Sequence, residues 1–212
     1  MAEALAALAV FIDFTGVSED EWHDWYDTEH LPERAALDGF VTASWWRATD
    51  LPSASVALYD LSSIDVLESP EYLAFREANE SPWTTRVHRL RDSVNRPSHR
   101  HLCRQIVPGT ARSTDAATHL RVLRVDVAPT DEQRCVDWLP QCAVELGGLP
   151  GVLQARAFRT ENHDGRLHRH LVVVELDRPP GAEVDAALRS CPVPMVRHVL
   201  ETYVRPEEKR SR

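Results

Sequence analysis

The chain contains one pattern written twice. GFVTASWWRA, beginning at Gly39, aligns with GVLQARAFRT, beginning at Gly151, and keeps Gly39/Gly151, Ala43/Ala155, Trp46/Phe158 and Arg47/Arg159 at one constant offset. With a single gap, Asp24-Trp25 aligns with Asp137-Trp138. A duplicated segment must fold as a module that stacks on its own copy, which leaves few architectures open.

Each copy reads as strand, helix, two strands, helix, strand. In the first, the apolar run at residues 4–14 predicts a strand buried on both faces. Ser18 with Glu21 three residues on has capping-box spacing and predicts a helix start, with Pro32 and Gly39 bracketing its end. FVTASWWRA and SVALYDL read as paired strands, DVLESPEYLAFREANE as a second helix and RHLCRQIV as the closing strand, while WTTRVHRLRDSV is left without an assignment. In the second, HLRVLRVDV is a strand and TDEQRCVDWLPQCAVELGG a helix with Thr130 as N-cap. GVLQARAFRT and RLHRHLVVVEL follow as strands, VDAALRS as a short helix and HVLETYV as the last strand. This predicts an α+β chain of duplicated ferredoxin-like βαββαβ units. Residues 1–108 form the first repeat, 109–118 a linker, 119–206 a degenerate second repeat and 207–212 a charged tail. Each sheet has one face free of helices, and burying that face against its twin gives an intrachain barrel. Two independent domains on a tether are the competing arrangement, which the apolar strands disfavour.

Composition narrows the function classes. A chain of 212 residues with a net charge of −9 and no dense basic stripe would repel a phosphate backbone, so nucleic acid is not an expected partner. Cys103, Cys135, Cys142 and Cys191 form no C-x-x-C pair and read as free thiols in a reducing, cytoplasmic setting. The run ALAALAVFIDF lacks a basic flank and is too short to span a bilayer, so no membrane is expected. Glycine-rich phosphate loops and a G-x-S-x-G elbow are absent, which argues against nucleotide cofactors and serine hydrolysis.

The densest chemistry lies in EWHDWYDTEHLPERAALDGF at residues 21–40. At helical spacing Trp22, Trp25, Tyr26 and Glu29 share one face, with His23, Asp27 and His30 beside it. The aromatics read first as core knobs against a sheet. His30 stands in the last turn of the expected helix with Glu29 and Glu33 nearby, a setting that favours imidazolium and suits general acid–base work. A capping or core histidine is the competing reading. Leu139 stands where Tyr26 was in the second copy, and Cys142 or Ala143 where His30 was, whereas Trp138 persists. Packing demands should survive duplication, while a chemical group need be kept only once. The pairs His99/His101 and His168/His170, and the His23/Asp27/His30 stripe, have spacings that can chelate, but the strand histidines alternate with arginine and are expected at an exposed polar sheet end, with no metal. Nothing in the sequence lowers the pKa of Cys103 toward nucleophilicity. Tyr59 should face either the barrel or the helices, where its hydroxyl could hold a carbonyl oxygen or be satisfied by backbone.

WYDTEHLPERAALDGFVTASWWRA, with SVALYDL, DVLESPEYLAF and SPWTTRV, resembles the dimeric α+β barrel superfamily and its EthD-like branch over residues 5 to 107. The resemblance implies a site at His30 with Tyr26 and Trp25 beside it, under a ceiling of strand residues such as Trp45 and Tyr59. Superfamily members carry unrelated reactions, so it implies fold more than chemistry. The combined expectation is an enzyme of lyase, isomerase, cyclase or dehydratase type, needing no cofactor, that acts on a small apolar carbonyl compound, aromatic or polyketide-like. His30 is its general acid or base, Tyr26 or Tyr59 the oxyanion partner, and Trp22, Trp25, Trp45 and Trp46 its apolar walls. The competing readings are a non-catalytic ligand-binding or accessory protein and a haem-binding oxygenase or peroxidase. A homodimer through exposed strand edges is left open.

Overall fold

A computed structural model describes residues 6–78, 81–94, 96, 98–106 and 115–206. Most of the expected linker, at 109–114, the tail at 207–212, the first two residues of the opening strand and the end of ANE at 79–80 lie outside the described residues. The elements run β1 (Ala6–Asp13), α1 (Glu19–Trp25), a π turn (Tyr26–His30), α2 (Leu31–Ala35), β2 (Phe40–Ala48), β3 (Ala54–Leu61), α3 (Pro70–Glu77), α4 (Pro82–Asp92) and β4 (His99–Gln105). They continue as β5 (His119–Val127), α5 (Glu132–Gly147), β6 (Val152–Thr160), β7 (His170–Leu176), α6 (Ala182–Leu188) and β8 (Met195–Val204).

The eight strands close into one barrel in the order β1-β3-β2-β8-β5-β7-β6-β4, so each half keeps the ferredoxin-like arrangement and the halves meet at two seams. The seams are short: β2 and β8 share two residue pairs, and β4 and β6 share three. Closure gives every strand a neighbour on both sides, although most of β2 and of β6 is unpaired at the seams. The duplication extends to irregularities: the β2–β3 register shifts between Phe40 and Thr42, and the β6–β7 register shifts at the equivalent Val152 and Gln154. Gly39 and Gly151 precede these bulges at φ of +88° and +83°, where side chains are strained, and a Cβ on Gly39 would stand 2.4 Å from Val66.

Three apolar clusters follow. One lies between the first half's sheet and helices, one inside the barrel, and one between the second half's sheet and helices. The barrel interior also holds charge. Arg156 on β6 donates to Asp60 on β3 at 2.6 Å and to Glu175 on β7 at 2.8 Å, with all three side chains at most 2% exposed. Thr42 adds a 2.7 Å hydrogen bond to Asp60. Asp60 and Glu175 occupy matching positions opposite Thr42 and Gln154, so a single guanidinium from the second half ties down the acids of both.

Several element expectations are corrected. WTTRVHRLRDSV contains α4, capped by Ser81, whose Oγ accepts from the Thr84 N–H at 3.0 Å. The N-cap of α5 is Asp131, because a 3-10 turn over Pro129–Asp131 precedes the helix. The first helical run ends at Ala35, between Pro32 and Gly39 as expected, but His30 is not in its last turn, which lies at and beyond Pro32. The Pro32 ring would clash with the carbonyl of Thr28 in a continuous α-helix, and the chain passes it through the π turn into α2. His101, His168 and His170 are buried, not set at an exposed sheet end, at 0%, 7% and 0% exposure.

Candidate functional site

The π turn arises from the sequence arithmetic of the duplication. Trp25 and Trp138 correspond, as do Gly39 and Gly151, yet the first copy carries one more residue between them than the second. The second copy spans this interval with the uninterrupted α5, whereas the first absorbs its extra residue at Tyr26–His30, where the Leu31 N–H bonds the Tyr26 carbonyl. An inserted residue that widens one turn is a recurrent mark of functional sites in helices.

Beneath this turn lies a cavity of about 190 Å³ bounded by β1, β3, α4 and the strand β4. Its walls include Trp22, Trp25, Tyr26, His30 and Tyr59, five of the seven residues expected from sequence. The other two lie elsewhere. Trp45 packs behind the site, stacked on Tyr26 at 5.3 Å and donating from Nε1 to Asp27 at 2.8 Å, and it borders a separate open groove. Trp46 points into the barrel, fully buried, with the Arg205 guanidinium 4.6 Å from its ring centre. Alternation along β2 decides this, since neighbouring residues face opposite sides.

Each wall has a traceable support. Trp22 stacks on Phe14 at 4.8 Å and 9°. Trp25 donates to Thr84 on α4 at 2.8 Å, and the equivalent Trp138 donates to Ser190 beyond α6 at 3.2 Å, so the tryptophan shared by both copies pins the first helix of each half to the second. Glu29 accepts from Ser81 and Thr84, each at 2.5 Å, which holds the start of α4 against the π turn. Burial opposes ionisation of Glu29, yet these hydrogen bonds outweigh it and its pKa is lowered. His23 and Asp27 pair at 2.7 Å, away from His30, so the helical stripe does not converge. No group of three or more ligand-type residues able to hold a metal occurs among the described residues.

His30 is half-buried, stacked on Trp25 at 4.3 Å and edge-on to Tyr26 at 5.0 Å. Its protonation differs from the sequence expectation. The helix continues past it, Glu29 is turned to α4, and the groups that face the ring are Arg34, His88, Arg91 and Arg100. Burial, and the guanidiniums of Arg34, Arg91 and Arg100, hold its pKa well below the usual histidine range, so the imidazole is neutral. The Tyr26 and Tyr59 hydroxyls both belong to residues that border the cavity, and burial raises both, Tyr59 to about 12 and Tyr26 well above the usual tyrosine range, so each keeps its proton and can donate it to an oxygen.

Sequence reasoning missed the cations and Tyr72. Arg34 on α2 lies over the Phe75 ring at 4.5 Å, Arg91 closes α4, and Arg100 on β4 donates to the Tyr72 hydroxyl at 3.3 Å. The one available signal was the arginine-rich face of TTRVHRLRD, which reads as a solvated helix until its neighbours are known. The corresponding interior of the second half is filled: Leu139, Cys142 and Leu146 on α5 are buried with Val184 and Leu188 of α6. Burial raises the Cys103, Cys135 and Cys142 thiols to about 12, which leaves them poor nucleophiles.

No protein-family model and no curated protein matches the chain. Solved structures do. An anthrone oxidase-like protein superposes with a TM-score of 0.64 at 12% identity, covering 97% of this chain and 92% of that one. A proposed monooxygenase from Lactobacillus acidophilus gives 0.63 at 8%, covering 96% and 94%. A chlorite dismutase variant from Candidatus Nitrospira defluvii gives 0.52 at 10%, covering 96% and 92%. The chain shares the dimeric α+β barrel fold. At these identities the likeness carries architecture alone. No helix among the described residues is long and apolar enough to cross a membrane.

Proposed function

We propose that the chain is a tandem, EthD-like member of the dimeric α+β barrels and an enzyme that moves a proton on a small, mostly apolar carbonyl compound. The observation that carries this reading is that a neutral, half-buried His30 and a protonated Tyr59 line the same cavity. His30 takes a proton from carbon next to the carbonyl. The electron pair moves to the carbonyl oxygen, where Tyr59 donates a hydrogen bond to the developing enolate. Return of the proton from imidazolium to another carbon completes an isomerisation, and loss of a β-substituent instead completes an elimination. Trp22 and Trp25 supply apolar walls that hold the reacting ring in place.

The names of two structural neighbours, an anthrone oxidase-like protein and a proposed monooxygenase, fit the same first step, because an enolate is the electron-rich species that dioxygen attacks, whereas that of the chlorite dismutase does not bear on it. Oxygen uptake separates oxygenation from isomerisation or elimination. Haem does not suit this cavity: a void of about 150 Å³ holds about one benzene ring, and 190 Å³ is far too small for a macrocycle of four pyrroles.

The test is turnover of enolisable aromatic ketones. His30→Ala is expected to lower kcat/KM about 10²–10⁴-fold, with circular dichroism unchanged, and Tyr59→Phe about 10²-fold. Since the His30 pKa lies below the ordinary value, wild-type kcat/KM, which reports the free enzyme, should persist as pH falls through 6.5. A profile that drops with a midpoint at 6.5, or His30→Ala with full activity, rejects the assignment of His30 as the base.

A further inference from the structure

The cavity wall has a charge opposite to that of the molecule. The chain carries a net charge of −9, yet Arg34, Arg91 and Arg100 border the cavity and, among the described residues, no Asp or Glu does. The three guanidiniums come from α2, α4 and β4, so the fold, not a local run of sequence, gathers them. Arg91 is partly offset by the exposed Asp92 at 2.7 Å. Arg34 has aromatic rings as its neighbours, and Arg100 donates to a tyrosine hydroxyl. Cations gathered this way, with low-dielectric aromatic walls behind them, concentrate field on whatever enters. They are also costly to keep together without a negative partner.

We propose that the substrate of this site is a small organic anion, about one ring in size, that brings an anionic oxygen, a carboxylate or the enolate of an acidic carbonyl compound, against Arg34, Arg91 and Arg100. This rests on the proposed function and narrows its substrate class. Size follows from the volume, since about 150 Å³ encloses a benzene ring and 190 Å³ leaves room for one polar substituent more. The anion has a second effect. It offsets the cations near His30, so binding of a carboxylate-bearing carbonyl compound raises the basicity of the imidazole that deprotonates it, whereas an enolate arrives already deprotonated and uses the cations for binding alone.

The test compares benzoate with its neutral isostere benzamide, read by quenching of the wall tryptophans Trp22 and Trp25 in the full chain. Benzoate is expected to bind at least tenfold more tightly. Arg34→Gln, with circular dichroism unchanged, is expected to reduce benzoate affinity about tenfold and to leave benzamide within twofold. Titration with 4-nitrophenol, whose absorbance reports its ionisation, distinguishes the sources of the anion: capture as phenolate supports an enolate-like ligand, and benzoate binding alone supports a carboxylate. Equal affinity for benzoate and benzamide, or no saturable binding of benzoate and of phenolate, overturns the proposal without recourse to any variant. Preference for the anion in a protein that turns over no carbonyl substrate would remove the catalytic reading and leave the anion site standing.

Discussion

His30 is neutral because burial and the guanidiniums of Arg34, Arg91 and Arg100 all oppose its charge. Trp22, Trp25 and Tyr26 were legible as one helical face, whereas His30 stood on the stripe beside it and the side of Tyr59 was left open, so only the resemblance to the dimeric α+β barrels placed those two at the cavity. The charge on His30 was not legible, because the arginines that keep it neutral come from α2, α4 and β4. The strand histidines make the same point. Thr160 donates its hydroxyl proton to the His168 carbonyl at 2.7 Å, so its oxygen accepts from His101 Nδ1 at 3.1 Å, which leaves His101 Nε2 as a bare acceptor. Burial lowers His101 to about 3 and His168 to about 4. The unfolded chain takes up protons below about 6.5 while these folded sites do not. Stability is therefore full above that pH and lost as pH falls toward 4, by about 1.4 kcal/mol per pH unit for each such group. Urea titrations at pH 7 and pH 5 should show this loss, and His101→Asn, which keeps the donor to Thr160, should make it shallower.

Among the elements, the π turn was visible only as a gap in the internal alignment. Periodicity does not distinguish a widened turn from a helix end, and Pro32 invited the second reading. All eight strands were legible, since alternation holds where one face meets a barrel and the other meets helices, though β7 begins four residues later and β8 three residues earlier than the sequence suggested. Helix α4 was not, because arginine and histidine fill the positions between Trp83, Val87 and Leu90. The comparison with α5 gives a direct test of the turn. Deleting Thr28 restores the residue count of the second copy, and the helix is expected to run on as α-helix with the fold intact. Tyr26 and His30 would then be displaced relative to Tyr59. Misplacement of about 1 Å costs about 10²-fold, so kcat/KM should fall by that much or more while thermal unfolding remains cooperative.

At the scale of the molecule, two sequence-related halves are fastened by a few specific bonds. The apolar strand faces made barrel closure legible. The Arg156–Asp60–Glu175 link was not, because acids at matching positions in SVALYDL and VVVEL read as strand ends. Removing Arg156 leaves two buried carboxylates facing each other. Arg156→Ala should cost about 3–5 kcal/mol, measured by denaturant unfolding, and Asp60→Asn in the same background should recover part of the loss. The two seams have a further consequence. With two and three residue pairs, they are the thinnest places in a wall that is otherwise laced along whole strands. Transient breathing should begin there, the halves parting as a clasp does, and water should reach the ionic link before it reaches either outer core. Deuterium uptake at Ala48 and Cys103 through Gln105 should outpace that at β1 and β5, whose amides lie between two full-length neighbours.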